Sequence, residues 1–109
     1  MKLFFKNYHS KIGIPMGRAL DASVWQALEI YDNLPENDDS FIGFINEKKE
    51  VLKIVKYNKF LWLVEIPEPE LGGSHQGYFT RRRCRMIIEK VFNNIQFKDL
   101  PGLNFEKYL

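Results

Sequence analysis

FIGFINEKKEVLKIVKYNKFLWLVEI, residues 41–66, contains three apolar runs, each about as long as a β-strand. The runs are rich in isoleucine, valine, phenylalanine, tryptophan and tyrosine, whose branched or flat side chains suit a pleated, largely buried surface. Polar residues 46–49 separate the first two runs, and Asn58-Lys59 separates the second from the third. Connections this short join antiparallel neighbours. The stretch therefore predicts three strands of an antiparallel meander.

Both faces of the predicted strands are largely apolar. This pattern indicates either a strand covered on two sides or a sheet with one exposed apolar face, which could also form a homodimer. Pro67 and Pro69 are expected to end the third strand, because proline donates no hydrogen bond to a neighbouring strand. Gly72-Gly73 then predicts a turn into a short strand around residues 77–79.

Two amphipathic helices are predicted, one before and one after the meander. Asp21 is the expected N-cap of the first helix, with Leu20 and Trp25 as a hydrophobic staple, and residues 33–35 end it. Thr80 is the expected N-cap of the second helix. The apolar stripes recur at helical spacing, as Val24, Ala27, Leu28 and Tyr31 in the first helix and Cys84, Ile87, Ile88, Val91 and Phe92 in the second.

The two ends of the chain are expected to pack against this domain. Residues 3–5 predict a short edge strand or an apolar arm, and residues 11–18 a loop, because Gly13, Pro15 and Gly17 interrupt regular structure. The apolar residues after Asn94 predict a tail that ends in a strand or turn. The predicted fold is one α+β domain over residues 1–109, with an antiparallel sheet of about four to five strands and two main helices.

Composition excludes several classes of protein. A length of 109 residues and a hydrophobic content of 45% suffice for one core, and a net charge of +2 does not by itself indicate a nucleic-acid-binding protein. A lone cysteine, Cys84, with no Cys/His spacing for zinc, predicts a reducing compartment and neither metal nor cofactor. No segment approaches the roughly 20 apolar residues of a membrane span. We therefore expect a soluble cytoplasmic protein without a membrane partner.

Charge is unevenly distributed along the chain. Residues 19–47 contain seven of the fourteen acids and no Lys, Arg or His, so this segment carries −7 and the remainder +9. Acids gather at the end of the first helix, whereas Arg81, Arg82, Arg83 and Arg85 lie at the start of the second. Each cluster has the sign that the dipole of its helix disfavours, by about 0.3–1 kcal/mol per exposed site. Helix stability alone would choose neither cluster.

Two interpretations of these clusters remain open. The clusters could meet and neutralise each other or stay solvated, or one of them could be presented to another macromolecule. An acidic surface would suit a basic protein, with Tyr31 or Trp25 as an apolar anchor. The candidate partner-binding residues are Glu29, Tyr31, Asp32, Glu36, Asp38 and Asp39.

Nucleic-acid binding is the alternative function. Arg81, Arg82, Arg83 and Arg85 could contact phosphates while Tyr78 and Phe79 stack on bases. The acidic half of the chain would repel phosphate, and no recognised nucleic-acid-binding motif is present.

Catalysis has little support in the sequence. His75 lies near Glu68, Glu70 and Ser74 in sequence, but no spacing fixes their geometry as an acid–base site. Cys84 lies on the apolar stripe of the second helix, where an inert core thiol is expected. We therefore predict that the chain is not an enzyme.

The central part of the chain, FIGFINEKKEVLKIVKYNKFLWLVEIPEPELGGSHQGYFTRRRCRMIIEKVF, resembles small bacterial immunity proteins that neutralise polymorphic or contact-dependent inhibition toxins. The similarity lies in the meander, the WLVEIP strand, the Gly-Gly turn and the Thr-capped helix, and it covers about half of the chain. It implies an α+β cytoplasmic domain that blocks the active site of one cognate toxin. Many such toxins are nucleases with basic clefts, which the acidity of residues 32–39 would suit, although the mild overall basicity departs from strongly acidic immunity proteins.

Overall fold

The computed structural model of the chain describes residues 1–36 and 39–108, and this part of the chain forms eight strands and two helices. Three short 3₁₀ turns occupy Met16–Arg18, Pro69–Leu71 and Phe97–Asp99. The elements in chain order are β1 (Lys2–Asn7), β2 (Ile12–Ile14), β3 (Leu20–Asp21), α1 (Val24–Asp32), β4 (Phe41–Ile45), β5 (Val51–Lys56), β6 (Trp62–Glu68), β7 (Gly73–Phe79), α2 (Arg81–Phe92) and β8 (Asn104–Lys107).

All the strands belong to one antiparallel sheet. Its order is β2-β1-β4-β5-β6-β7-β8, and β3 pairs with the same edge of β1 as β2 does. The meander predicted from residues 41–66 is confirmed as β4, β5 and β6, in which Ile42, Ile54 and Val64 lie side by side. The predicted α+β class with two helices is therefore confirmed. The sheet is larger than the four to five strands expected, because both ends of the chain add strands to its edges.

Several predicted boundaries are wrong for identifiable reasons. β1 is not an edge strand, because β2 and β3 pair with its free side, and the loop predicted over residues 11–18 contains β2 and a 3₁₀ turn. β6 continues through Pro67 to Glu68. Pro67 is tolerated because β5 pairs with β6 only as far as Glu65, so beyond that point β6 has a neighbour on the β7 side alone.

The strand after the Gly-Gly turn is also longer than expected. β7 spans seven residues and pairs with the whole length of β6, and Gly72 makes the turn before it with a positive φ of 70°. β8 pairs with the other side of β7 over Gly73 to Gln76. The tail therefore ends in a strand, one of the two forms expected from the sequence.

The core lies between the two helices and one face of the sheet. Alternate strand residues point toward the helices and are buried, and Trp62 and Phe44 are among the largest of them. On α2 the Thr80 hydroxyl accepts a hydrogen bond from the backbone N–H of Arg83 at 3.3 Å, which confirms the predicted N-cap. Cys84, Ile87, Ile88 and Val91 are buried on this helix, and the half-buried Phe92 packs edge-on against Phe44.

The opposite face of the sheet, which we call the open face, is covered by no helix of the described residues. Phe4 lies flat across this face and is buried, because its cross-strand neighbour Gly43 has no side chain. A Cβ atom added at Gly43 would lie 2.0 Å from the Phe4 ring. Of the two arrangements expected for the apolar strands, the structure therefore adopts the one with an exposed apolar face.

Candidate protein-binding site

The N-cap of helix α1 lies two residues later in the chain than the predicted cap, Asp21. Ser23 is the N-cap: its hydroxyl accepts from the Gln26 backbone N–H at 3.2 Å, and the Gln26 side chain accepts from the Ser23 N–H at 2.9 Å. This reciprocal pair is a capping box. Asp21 instead pairs with β1 as part of β3, so its prediction as the cap is wrong. The predicted staple is wrong as well, since Leu20 and Trp25 are 59% and 78% exposed.

The register set by Ser23 turns one side of α1 outward beside the β2–β3 edge of the sheet. Trp25 and Glu29 are four residues apart and therefore share a side of the helix. A groove of about 270 Å³ runs between this helix and the sheet edge, with Asp21 and Glu29 as its charged groups. We call Trp25, Asp21, Glu29 and this groove the α1 surface. The groove is lined by Ile14, Leu20, Asp21, Ala22, Gln26, Glu29 and Ile30.

The predicted acidic residues do not form one surface. Glu29 lies on the α1 surface and is exposed, and Asp39 is exposed just before β4. Asp38 lies outside the described residues. Asp32 and Glu36 instead form ion pairs with arginines of α2. Of the predicted acids that the structure describes, only Glu29 and Asp39 make no ion pair with described residues.

Arg81 joins the end of α1 to the start of α2. Its guanidinium donates from Nη1 to the carbonyl oxygen of Tyr31 and from Nη2 to that of Leu34, both at 2.9 Å. The same group lies 5.0 Å and 4.8 Å from the ring centres of Tyr31 and Trp62. Its Nε is 3.5 Å from Glu36 Oε1. Arg81 therefore binds the Tyr31 carbonyl in the last turn of α1 and the Leu34 carbonyl just beyond the helix.

Arg85 makes the second link, through a hydrogen-bonded ion pair with Asp32 at the last residue of α1. This hydrogen bond raises the pKa of Arg85 above its ordinary value. The unfavourable charges at the two helix ends thus compensate each other, since each cation lies against the negative end of the neighbouring helix. For Asp32 and Glu36, the interpretation that the two clusters meet and neutralise each other is confirmed. Their side chains remain 46% and 66% exposed, so their presentation to a partner stays a prediction.

The remaining arginines give only a small basic surface. Arg82 and Arg83 are exposed, and the Arg83 guanidinium lies 5.6 Å from the ring centre of Phe79. Phe79 faces the core and is buried, so it cannot stack on a base, whereas Tyr78 lies on the open face. The nucleic-acid interpretation used four arginines for phosphate contacts and two aromatic residues for stacking. Of these six, only Arg82, Arg83 and Tyr78 are exposed and make no ion pair with described residues.

Tyr31 is fully buried between the helices and the sheet, so its prediction as a surface anchor is wrong. Its ring packs edge-on against Trp62 with centres 5.0 Å apart. Its hydroxyl has no partner at hydrogen-bond geometry among the described residues, and burial, with the Cys84 thiol nearby, raises its pKa. Burial also raises the pKa of Cys84 to about 11, which keeps the thiol protonated and unreactive at neutral pH.

His75 and its neighbours do not assemble a catalytic site. His75 Nε2 lies 3.5 Å from Glu68 Oε1 on the side of the sheet that faces the helices. Ser74 points to the open face, because neighbouring strand residues alternate, and its hydroxyl accepts a hydrogen bond from Gln76 at 2.7 Å. The fourth residue, Glu70, lies in an exposed 3₁₀ turn. The histidine and the hydroxyl are therefore on opposite sides of one strand.

Comparison with protein-family models, with curated proteins and with solved structures found no match to this chain. Within residues 1–36 and 39–108, no group of three or more His, Cys, Asp or Glu side chains is placed to hold a metal ion. Neither helix in the described part of the chain has the length and apolar character that crossing a membrane requires.

The sequence could identify part of the α1 surface but not its groove. Glu29 was predicted as a binding residue and Trp25 as a possible anchor. The contribution of Asp21 was missed because this residue was expected to cap the helix. The groove requires β2 and β3 beside α1, and strands of three and two residues give almost no periodic signal. The signal available in the sequence was the group of apolar residues Ile12, Met16 and Leu20, which the structure places near this edge and exposes to solvent.

Proposed function

We propose that this chain is a bacterial immunity protein, a non-catalytic inhibitor that binds a cognate toxin domain in the cytoplasm and blocks its active site. The observation that carries the proposal is Trp25, 78% exposed beside a groove whose only charged groups are carboxylates. Tryptophan is enriched among the residues that dominate protein–protein binding energy. Because the indole ring is exposed on a capped helix, contact with a protein partner explains it better than simple exposure to solvent does.

The charge of the α1 surface favours a basic partner. Asp21 and Glu29 form no ion pair with described residues, so both carboxylates can pair with a cation from outside. A nuclease carries lysine and arginine in its substrate cleft because it must bind phosphates. Such a cleft fits a surface with carboxylates and an exposed aromatic side chain, and opposite charges would accelerate association. We infer that the cognate toxin is a nuclease, in line with the resemblance of the central segment to immunity proteins.

The direct test is protection of growing cells. The proposal predicts a toxin gene immediately upstream of the gene for this chain. Expression of that toxin domain should stop the growth of a bacterial host, and co-expression of this chain should restore it. Trp25→Ala and Glu29→Lys should each lose protection at an expression level at which the wild-type chain just protects. Truncation of a central anchor commonly costs about 2 kcal/mol or more, and the charge reversal places a lysine against a basic partner.

A matched control separates this proposal from nucleic-acid binding. Arg82→Gln and Arg83→Gln change exposed residues at the start of α2 and should leave protection intact. If these two variants lose protection while Trp25→Ala keeps it, the α1 surface is not the inhibitory site. Growth arrest that persists with the wild-type chain present would contradict the proposed function itself.

A further inference from the structure

The open face of the sheet has an apolar centre. Phe41, Val55, Leu63 and Tyr78 are successive cross-strand neighbours across β4, β5, β6 and β7. The first three are half-buried and Tyr78 is 50% exposed. The Tyr57 ring lies 4.6 Å from that of Tyr78 and extends the row. A continuous apolar row on an uncovered sheet is typical of an interaction surface.

Charges on the open face from β1 to β8 are sorted by sign, and the one exception at the β1 edge is Asp21 of β3, the cross-strand neighbour of Lys2. Lys2 and Lys6 lie on β1, toward one edge, and Glu106 lies on β8 at the other edge. At the centre Lys53 and Glu65 are cross-strand neighbours, again with the cation on the β1 side. The face is therefore positive toward β1 and negative toward β8. A surface with this pattern is complementary to a second copy whose β1 edge lies over the β8 edge of the first.

We propose that the open face binds the open face of a second copy, as a two-fold dimer whose axis runs parallel to the strands between β5 and β6. This rotation places β1 over β8, β4 over β7 and β5 over β6 of the second copy. Val55 then faces Leu63 of the other copy and Phe41 faces Tyr78, so the apolar rows meet. In a two-fold interface each contact occurs twice, because residue i of one copy contacts residue j of the other and residue j contacts residue i.

The same rotation pairs the charges. Lys53 faces Glu65 of the second copy near the axis, and Lys2 faces Glu106 at the periphery, where symmetry repeats each pair. The rotation also suits the shape of the sheet, because a right-handed twist gives a saddle that this two-fold axis maps onto itself. Charge and shape therefore select the same arrangement.

The area of the face is sufficient for a reversible dimer. Six strands at about 4.8 Å spacing and five residues at about 3.3 Å each give a face of about 500 Å². Two such faces bury about 1,000 Å², the lower end for specific interfaces, so we expect a dimer that dissociates on dilution. Trp25 and Glu29 of the α1 surface lie on helix α1, on the other side of the sheet from this interface, whereas Asp21 is the cross-strand neighbour of Lys2. Dimerisation and toxin binding can therefore be tested independently.

The first experiment measures the mass of the protein by analytical ultracentrifugation over a range of concentrations. The wild-type chain should change from monomer to dimer as its concentration rises. Leu63→Arg should raise the dissociation constant at least tenfold, because it places a charge in the apolar row. Met86→Arg is the matched control, an exposed apolar residue of α2 that should leave the dimer unchanged. Circular dichroism verifies that both variants are folded.

A second experiment reverses two charges singly and together, so that rescue by the double variant excludes misfolding as the cause of weaker dimerisation. Lys2→Glu and Glu106→Lys alter exposed residues, and each should raise the dissociation constant about fivefold at low salt. The double variant should restore wild-type dimerisation. Within one chain these residues are about 24 Å apart, five strand spacings, so rescue can arise only between copies. A monomer at every concentration, or a double variant no better than the single ones, would overturn the proposal.

Discussion

Replacing Arg81 by glutamine removes one of the two contacts by which α2 arginines join the helices. The guanidinium donates two hydrogen bonds of 2.9 Å, to the Tyr31 carbonyl of α1 and to the Leu34 carbonyl just beyond it, and its side chain is only 25% exposed. A hydrogen bond from a charged group contributes about 1.5–3 kcal/mol, and glutamine can replace at most part of one. We expect the free energy of unfolding to fall by about 3 kcal/mol, out of the roughly 5–15 kcal/mol typical of a domain. The melting temperature should fall by about 15 °C.

The assay is urea unfolding, followed by tryptophan fluorescence and far-ultraviolet circular dichroism. Arg82→Gln is the matched control, since Arg82 lies in the same turn but is exposed, and its effect should stay within about 0.5 kcal/mol. Arg81→Lys should resemble Arg81→Gln, because an ammonium group cannot reproduce the planar fork that reaches both carbonyl oxygens. Equal unfolding midpoints for Arg81→Gln and Arg82→Gln would refute the assignment of Arg81 as the link between the helices.

Three further changes probe the core and the packing of Phe4 on the open face. Tyr31→Phe should be neutral or stabilising by up to about 1 kcal/mol in the same unfolding assay, since it removes a buried hydroxyl without a hydrogen-bond partner; a loss above that would show that the hydroxyl is bonded. Gly43→Val should destabilise the fold by about 2 kcal/mol or more, because its side chain would displace the Phe4 ring, and unchanged thermal stability would contradict this packing. Burial raises the pKa of Cys84 from 9.0 to about 11, so above pH 9 the unfolded thiol ionises before the folded one and stability falls as pH rises. The thiol's contribution to this fall is about 2–3 kcal/mol by pH 11, and Cys84→Ala should show a correspondingly smaller fall.

The sequence predicted the elements with strong periodicity. The apolar runs of β4, β5 and β6 and the stripe from Cys84 to Val91 lie as expected, because each repeats its pattern several times. The short strands at the sheet edge were missed, since their pairing depends on the position of β1 and not on their own residues. The predicted end of β6 at Pro67 was wrong for a related reason. Proline has no backbone N–H, and this ends a strand only where a neighbouring strand would have accepted that hydrogen bond.

The sequence shows the two charge clusters correctly but does not show whether they contact each other or face solvent. Sequence alone shows that acids end α1 and arginines begin α2, and it permits either contact or display. Only the packing of α1 beside α2 brings Arg81 to the Tyr31 carbonyl and Arg85 to Asp32. The cap of α1 was ambiguous in the same way, because Asp21 and Ser23 are both good caps. Ser23 has Gln26 three residues later, and this spacing was the available signal for the correct choice.

The central functional claim is that the α1 surface binds a basic toxin domain through Trp25 and Glu29. The most direct measurement is the association rate of the wild-type chain, Glu29→Lys and Arg82→Gln with the purified toxin encoded upstream, at low and high salt. We expect Glu29→Lys to associate about tenfold more slowly than the wild type at low salt, with a smaller difference at high salt, and Arg82→Gln to match the wild type. Equal rates for Glu29→Lys and the wild type at low salt would contradict the claim.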